Sequence, residues 1–269
     1  TAIPLFVFGL IFASVILPES NFLLNALKIT VLPALELVGF GYAFFIIYKA
    51  RKTYQSLGES DLDTMENLRE TFCREFPMKS IGGALAFEIS GFYYAFFSWR
   101  KKRGALFFTY YKNNGVLALL TVIIFLVTIE TLILHFLVAG WSSTTAWILT
   151  IFSAYFIFQL FAHGKAIYLR PIKFTSDEIF IRCGLFGDTK IKLNEIEKVE
   201  IVNQSFEVNK EAVNFTPLGK FTQPNVKIVL RENATLNGFY GFRKNFKIIF
   251  LAIDEIERFK EKIENSLRN

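Results

Sequence analysis

Two long apolar runs joined by a short polar turn constrain this chain more than any other feature. Gly115–Leu137 contains one acid, Glu130, one histidine, His135, and no lysine or arginine. The segment Ala139–Thr145 interrupts it with Gly140, Trp141 and four hydroxyl residues, and Ala146–Ala162 is apolar again. At a rise of 1.5 Å per residue, such runs match the ~30 Å hydrocarbon layer of a bilayer. Trp141 in the turn has the amphipathic ring favoured at a membrane–water interface. The pattern predicts a transmembrane hairpin with spans at about 114–138 and 144–164.

Composition agrees with that expectation. Hydrophobic residues make up 52% of the 269 residues and 32 are Phe, with a mean hydropathy of +0.37. The formal charge of +6 suits a protein beside an anionic membrane surface. Upstream, Ile3–Leu17 and Phe22–Tyr48 are also apolar, separated by Pro18-Glu19-Ser20-Asn21 and closed by Lys49, Arg51 and Lys52. They predict a first hairpin, with spans at about 2–17 and 22–49 and its basic end in the cytoplasm. Asp61–Glu75 has Leu62, Met65, Leu68 and Phe72 at helical spacing, and its charges Asp63, Glu66, Arg69 and Glu70 read as a solvated face. Ser80–Trp99 is apolar but carries Glu88, and Arg100, Lys101, Lys102 and Arg103 follow it; an interfacial or re-entrant helix keeps those cations inside. The expected fold is therefore a membrane all-α domain over 1–165, with four transmembrane helices as two hairpins and residues 50–113 cytoplasmic or interfacial. A cytoplasmic α+β domain follows over 166–269.

From about Arg170 the text becomes short alternating β-branched and aromatic segments: 168–174, 178–185, 189–193, 198–202, 226–231, 238–242 and 246–253. Asp254–Leu267, acidic at its start and striped by Ile256, Phe259 and Ile263, predicts a closing helix. The line Glu178–Leu185 followed by Ile191–Glu200 resembles the opening strands of bacterial pleckstrin-homology-like domains. Glu88, Tyr93-Tyr94, Glu130, His135, Trp141-Ser142, Ala146-Trp147 and Arg170-Pro171 together are similar to a family of uncharacterised bacterial integral membrane proteins. These resemblances imply a PH-like small barrel with a C-terminal helix, held at a bacterial inner membrane.

Ionisable groups in hydrocarbon are functional candidates by default. Lys28, Glu36, Glu88, Glu130 and His135 fall in apolar segments; Lys28 and Glu130 either pair between hairpins or, on the simpler reading, Lys28 snorkels to the interface and Glu130 is a neutral, hydrogen-bonded structural acid. At the interface the candidates are Tyr93, Tyr94, Arg100, Lys101, Lys102, Arg103, His163 and Arg170. The two histidines lie at opposite ends of the second hairpin, so they do not share a metal, and no CxxC, Walker loop, GxGxxG or HExxH is present. No catalytic residue, metal or cofactor is expected, and Cys73 and Cys183 read as inert thiols. The long connection Asn203–Asn225, with Pro217, Gly219 and Pro224, reads as a docking loop. The expected function is a non-enzymatic inner-membrane scaffold, assembly factor or accessory subunit. It would have both termini cytoplasmic, anionic lipid headgroups around it, a protein partner or second copy, and no nucleic acid. The alternatives are a small oligomeric ion-coupled carrier using the intramembrane Glu and Lys residues, and a membrane enzyme acting on lipid.

Overall fold

Asp63 opens the first described helix, α1 (Thr64–Glu75), through a capping box: its Oδ1 accepts from the Glu66 amide at 2.9 Å and Glu66 Oε2 accepts from the Asp63 amide at 2.8 Å. Such a cap contributes about 1 kcal/mol by satisfying orphan amides of the first turn. The computed structural model describes residues 48, 52, 62–76, 78–99, 104, 106–202 and 211–268. Residues 1–59 and 60–269 are separate compact units, and the described architecture belongs to the second.

Helix α2 (Lys79–Phe92) continues into a π-helical turn, Tyr93–Phe97, and packs on α1 and on a 3-10 turn at Phe239–Gly241. Its glycines make that packing possible. A Cβ on Gly83 would stand 2.4 Å from the Gly241 Cα, and one on Gly82 2.6 Å from the Phe72 carbonyl oxygen. Gly83→Ala is expected to cost about 1–3 kcal/mol, because backbone must move. Gly164→Ala, whose Cβ meets only Leu120 Cδ1 at 3.6 Å, is expected to stabilise by about 0.5–1 kcal/mol through helix propensity. Thermal unfolding of the two variants in detergent checks the contrast.

Helices α3 (Val116–Ala139) and α4 (Ser143–Leu169) form the apolar hairpin. Ser142 caps α4, and His135 Nδ1 meets Thr150 Oγ1 at 2.7 Å between the two helices. The foot of the hairpin is rooted in the sheet: Val116, Leu120 and Ile167 belong to the same core as Phe174, Ile181 and Phe246. Asp254 fastens the approach to α3, its carboxylate accepting from the backbone amides of Tyr111, Lys112 and Asn113 at 3.0–3.2 Å.

The sheet is mixed and has eight strands: β1 (Phe107–Phe108), β2 (Ile172–Phe174), β3 (Glu178–Cys183), β4 (Gly187–Lys192), β5 (Ile196–Ile201), β6 (Ala212–Asn214), β7 (Val226–Gly238) and β8 (Arg243–Leu251). The order is β1-β2-β3-β4-β7-β8-β6, with β5 also on β7; only β6 runs parallel to its neighbour, β8. The long β7 pairs its first half with β5 and its last residues with β4, and a register shift against β8 between Val229 and Ala234 bends it. Helix α5 (Ile256–Arg268) closes the core, inserting Phe259 and Ile263 at 0% exposure.

This architecture corrects the expected fold class. Among the described residues two helices, not four, are long and apolar enough to cross a membrane; the expected spans at 2–17 and 22–49 lie, but for Tyr48, outside the described residues. The segment 62–99 belongs to the same unit as the sheet: α1 sets its charged side chains against β3–β4, α2 packs on α1, on α4 and on the turn between β7 and β8, and the described part of 60–269 is α+β. The expected boundary at 165/166 falls inside α4. Phe107–Phe108 adds an edge strand that two residues of text cannot announce, since alternation needs a longer run to register. Gly238–Phe242 is largely turn, with Tyr240 at φ 51° and Gly241 at φ 79°, because the chain must reverse between β7 and β8. The expected loop 203–225 contains β6 and a 3-10 turn at Gly219–Phe221.

Candidate functional site: a buried six-charge junction

The apolar side of α1 packs toward α2 and α4, with Met65 buried among Phe87, Tyr94, Ala162, Ala166 and Leu169, and its charged neighbours are drawn in with it. Asp63 and Glu66, one turn apart, and Arg69, one further turn along, meet Arg170 just past α4 and Arg182 and Asp188 from the β3–β4 hairpin. Arg170 Nε donates to Asp63 Oδ2 at 2.5 Å, and its Nη2 to Asp63 Oδ1 at 3.2 Å and Asp188 Oδ2 at 3.3 Å. Its Nη1 donates to the Gly184 carbonyl and to Met65 Sδ. Arg182 forks onto Glu66, Nε to Oε1 at 2.7 Å and Nη2 to Oε2 at 2.8 Å. Arg69 forks onto Asp188, with Nη1 to Oδ2 at 2.7 Å. Three guanidinium groups thus face three carboxylates, and the side chains of Arg170 and Arg182 are each only 1% exposed. A buried charge is tolerated only when paired and hydrogen-bonded, and here each of the six finds an opposite charge.

Burial pushes the Asp63 carboxyl up, but the charges of Arg170 and Arg182, with hydrogen bonds from Arg170 and the Glu66 amide, outweigh it and hold it well below the usual carboxylate range. Burial also works against the Arg170 cation, and Asp63 and Asp188 outweigh it, so Arg170 stays charged. A depressed acid contributes stability that is fully present above its unfolded pKa of about 3.9 and is lost as pH falls through that value toward the folded one. Between pH 4 and pH 2 the wild type is therefore expected to lose more stability than Asp63→Asn, by a slope difference approaching ~1.4 kcal/mol per pH unit. Chemical unfolding at stepped pH measures it.

Two clefts flank the junction. One, about 350 Å3, is bordered by Arg69, Cys73, Lys79, Asp188 and Arg243. The other, about 440 Å3, is walled by Tyr93, Tyr94, Phe97 and Trp99, with Asp63, Arg170 and Arg182 behind. Tyr94 is buried, with the Arg170 guanidinium 5.8 Å from its ring centre. Lys165 lies 3.4 Å over the Trp99 ring and donates to the Ala95 carbonyl.

Of the candidates drawn from sequence, Tyr94 and Arg170 come to the junction, and Tyr93 lines the cleft beside it. Asp63, Glu66 and Arg69, expected on a solvated face, are its core. Glu88 joins a separate cluster, accepting from Tyr155 O–H at 2.6 Å, Gln159 Nε2 at 2.9 Å and Tyr240 O–H at 2.9 Å. Glu130 is exposed on α3, and His135 lies between the helices of the hairpin. His163 is buried, its Nδ1 accepting from the Leu185 amide at 3.1 Å. Lys28, Glu36 and Arg100, Lys101, Lys102 and Arg103 lie outside the described residues. Burial pushes the Cys183 thiol up to about 12, and among the described residues no three His, Cys, Asp or Glu side chains group to hold a metal.

One signal in the sequence does point to the junction. The β3–β4 register sets Arg182 directly opposite Asp188, and opposite charges at matched hairpin positions on a buried face announce a partner. Fold and site together define a class: an α+β unit carrying an exposed apolar hairpin on a charge-locked base. Comparison with protein-family models, curated proteins and solved structures gives no match.

Proposed function

We propose that this chain is a membrane-anchored, non-enzymatic scaffold or accessory subunit that holds its α+β unit at the cytoplasmic face of an inner membrane through the α3–α4 hairpin. The observation that carries the reading is exposure. Only 11% of the most apolar window of each hairpin helix is buried, where the core helix of a water-soluble fold hides such a stripe. Phe125, Phe136, Leu137 and Phe152 point outward, an apolar surface far beyond the patches that monomers leave in water. The α3 helix has 24 residues, a rise of about 36 Å, enough for the ~30 Å hydrocarbon layer. The junction supports a mechanical role: its charges are spent on each other, which locks the foot of the hairpin to α1 and to β3–β4 and leaves no free acid–base pair there.

In a Cys73→Ala background, Trp141→Cys at the hairpin tip is expected to react with a membrane-impermeant maleimide in spheroplasts, and Glu197→Cys on the sheet only after lysis. The protein is expected to resist alkaline carbonate extraction. Release by carbonate, or labelling of both positions from the same side, overturns the proposal.

A further inference from the structure

An apolar groove of about 760 Å3 opens between the β6–turn segment and the β7–β8 connection, a size typical of small-molecule sites. Phe186, Phe239 and Phe242 line it while 44%, 47% and 68% exposed, and Leu218, Leu236 and Phe215 complete the apolar walls. The exposed cations Arg243 and Lys244 stand in its lining, and no Asp or Glu among the described residues does. Most polar groups within are already engaged: Asn214 Nδ2 and Thr216 Oγ1 both donate to the Gly219 carbonyl, at 3.1 and 2.7 Å, and Lys244 Nζ donates to the Ala212 carbonyl at 3.1 Å, while Asn214 Oδ1 is a buried acceptor left open. One open acceptor serves a single N–H, so a peptide entering here would leave most of its backbone N–H and C=O groups short of partners, at a cost an acyl chain does not carry.

The position of the groove names the source of such a chain. Phe186 stacks on His163 of α4 at 3.8 Å, Phe239 packs on Phe186 and on Tyr240, and the Tyr240 hydroxyl shares Glu88 with Tyr155 of α4. The aromatic wall therefore abuts α4 between Tyr155 and His163. Counted from Ser143 at 1.5 Å per residue, His163 lies roughly 30 Å along the helix, where a hydrocarbon layer crossed from the tip would end.

We propose that the groove takes one acyl chain of an anionic phospholipid from the adjoining leaflet, with Arg243 and Lys244 holding its headgroup phosphate. This rests on the membrane reading of the hairpin. Moving a chain end from bilayer to groove exposes no hydrocarbon to water, while it withdraws three phenylalanine surfaces from water. The two cations select negative over zwitterionic headgroups, by about fivefold each.

The test uses the full chain in phosphatidylcholine vesicles containing phosphatidylglycerol with a diazirine-bearing acyl chain. After irradiation, adducts are expected on residues 214–219 and 236–244 as well as on the hairpin, 116–169. Leu218→Trp, which fills the groove, is expected to abolish the 236–244 adduct and leave hairpin labelling unchanged. Arg243→Gln and Lys244→Gln are each expected to lower the groove adduct about fivefold, and a diazirine phosphatidylcholine probe is expected to label the groove weakly. Hairpin adducts without groove adducts overturn the lipid site and leave the membrane reading standing; no adducts anywhere overturn both. Equal groove labelling by the two probes overturns the anionic assignment. A benzophenone amino acid at position 239 that cross-links to residues 1–59 or to a second protein, and not to lipid, overturns the lipid in favour of that occupant.

Discussion

Arg170→Met is expected to destabilise the 60–269 unit by about 3–5 kcal/mol, the cost of removing one partner from a buried charge pair. The arginine bridges Asp63 and Asp188 and satisfies the Gly184 carbonyl. Methionine fills much of the volume but leaves two buried carboxylates short of positive charge and one carbonyl without its donor. In a unit of this size the loss appears as a fall in Tm of roughly 6–20 °C, followed by near-UV circular dichroism in mild detergent. Removing a whole pair tests the cause. Arg182→Met combined with Glu66→Leu is expected to lose clearly less than Arg182→Met alone, since it strands no Glu66 charge and leaves Asp63 still paired with Arg170, at the smaller cost of half the α1 cap. A double variant as damaged as the single one would mean that Arg182 matters for its shape and not for its charge.

Phe259→Ala is expected to cost about 3–5 kcal/mol, the range for deleting a fully buried phenylalanine. Its ring meets Phe108 and Phe174 edge to face, at centroid distances of 5.3 and 5.4 Å, so it joins the closing helix to both the edge strand β1 and β2. The resulting cavity lies where three distant parts of the chain converge and cannot collapse by a local shift. Denaturant unfolding gives the loss, and amide exchange at Phe107 and Phe108 is expected to quicken beyond the global change. A loss under ~1.5 kcal/mol would mean that α5 is only loosely seated.

The parts of this fold legible in the sequence are those whose signal is local. The apolar runs around Gly140 announced helices that form as Val116–Ala139 and Ser143–Leu169, and the acid-first, striped text after Asp254 announced the helix at Ile256–Arg268. Alternation located most strands but failed at β1 and β6, too short to show a period, and at Gly238–Phe242, where aromatic residues sit in a turn held by Gly241 at positive φ. The site was mostly illegible. The spacing of Asp63, Glu66 and Arg69 describes one side of a helix and carries no mark of what lies opposite, so the same letters serve a wetted face and a buried one. Their partners stand 107 to 119 residues away in the chain.

By itself the sequence determined which segments are apolar, which alternate and where helices begin, because those properties depend on neighbours within a few residues. The tertiary structure alone decided that α1 turns its charges inward, that Arg170, Arg182 and Asp188 meet them, and that α2 lies between α1 and the turn joining β7 to β8. The physical reason is that an ion pair and a desolvation cost depend on distance and burial in space, and both exist only once remote segments have folded together.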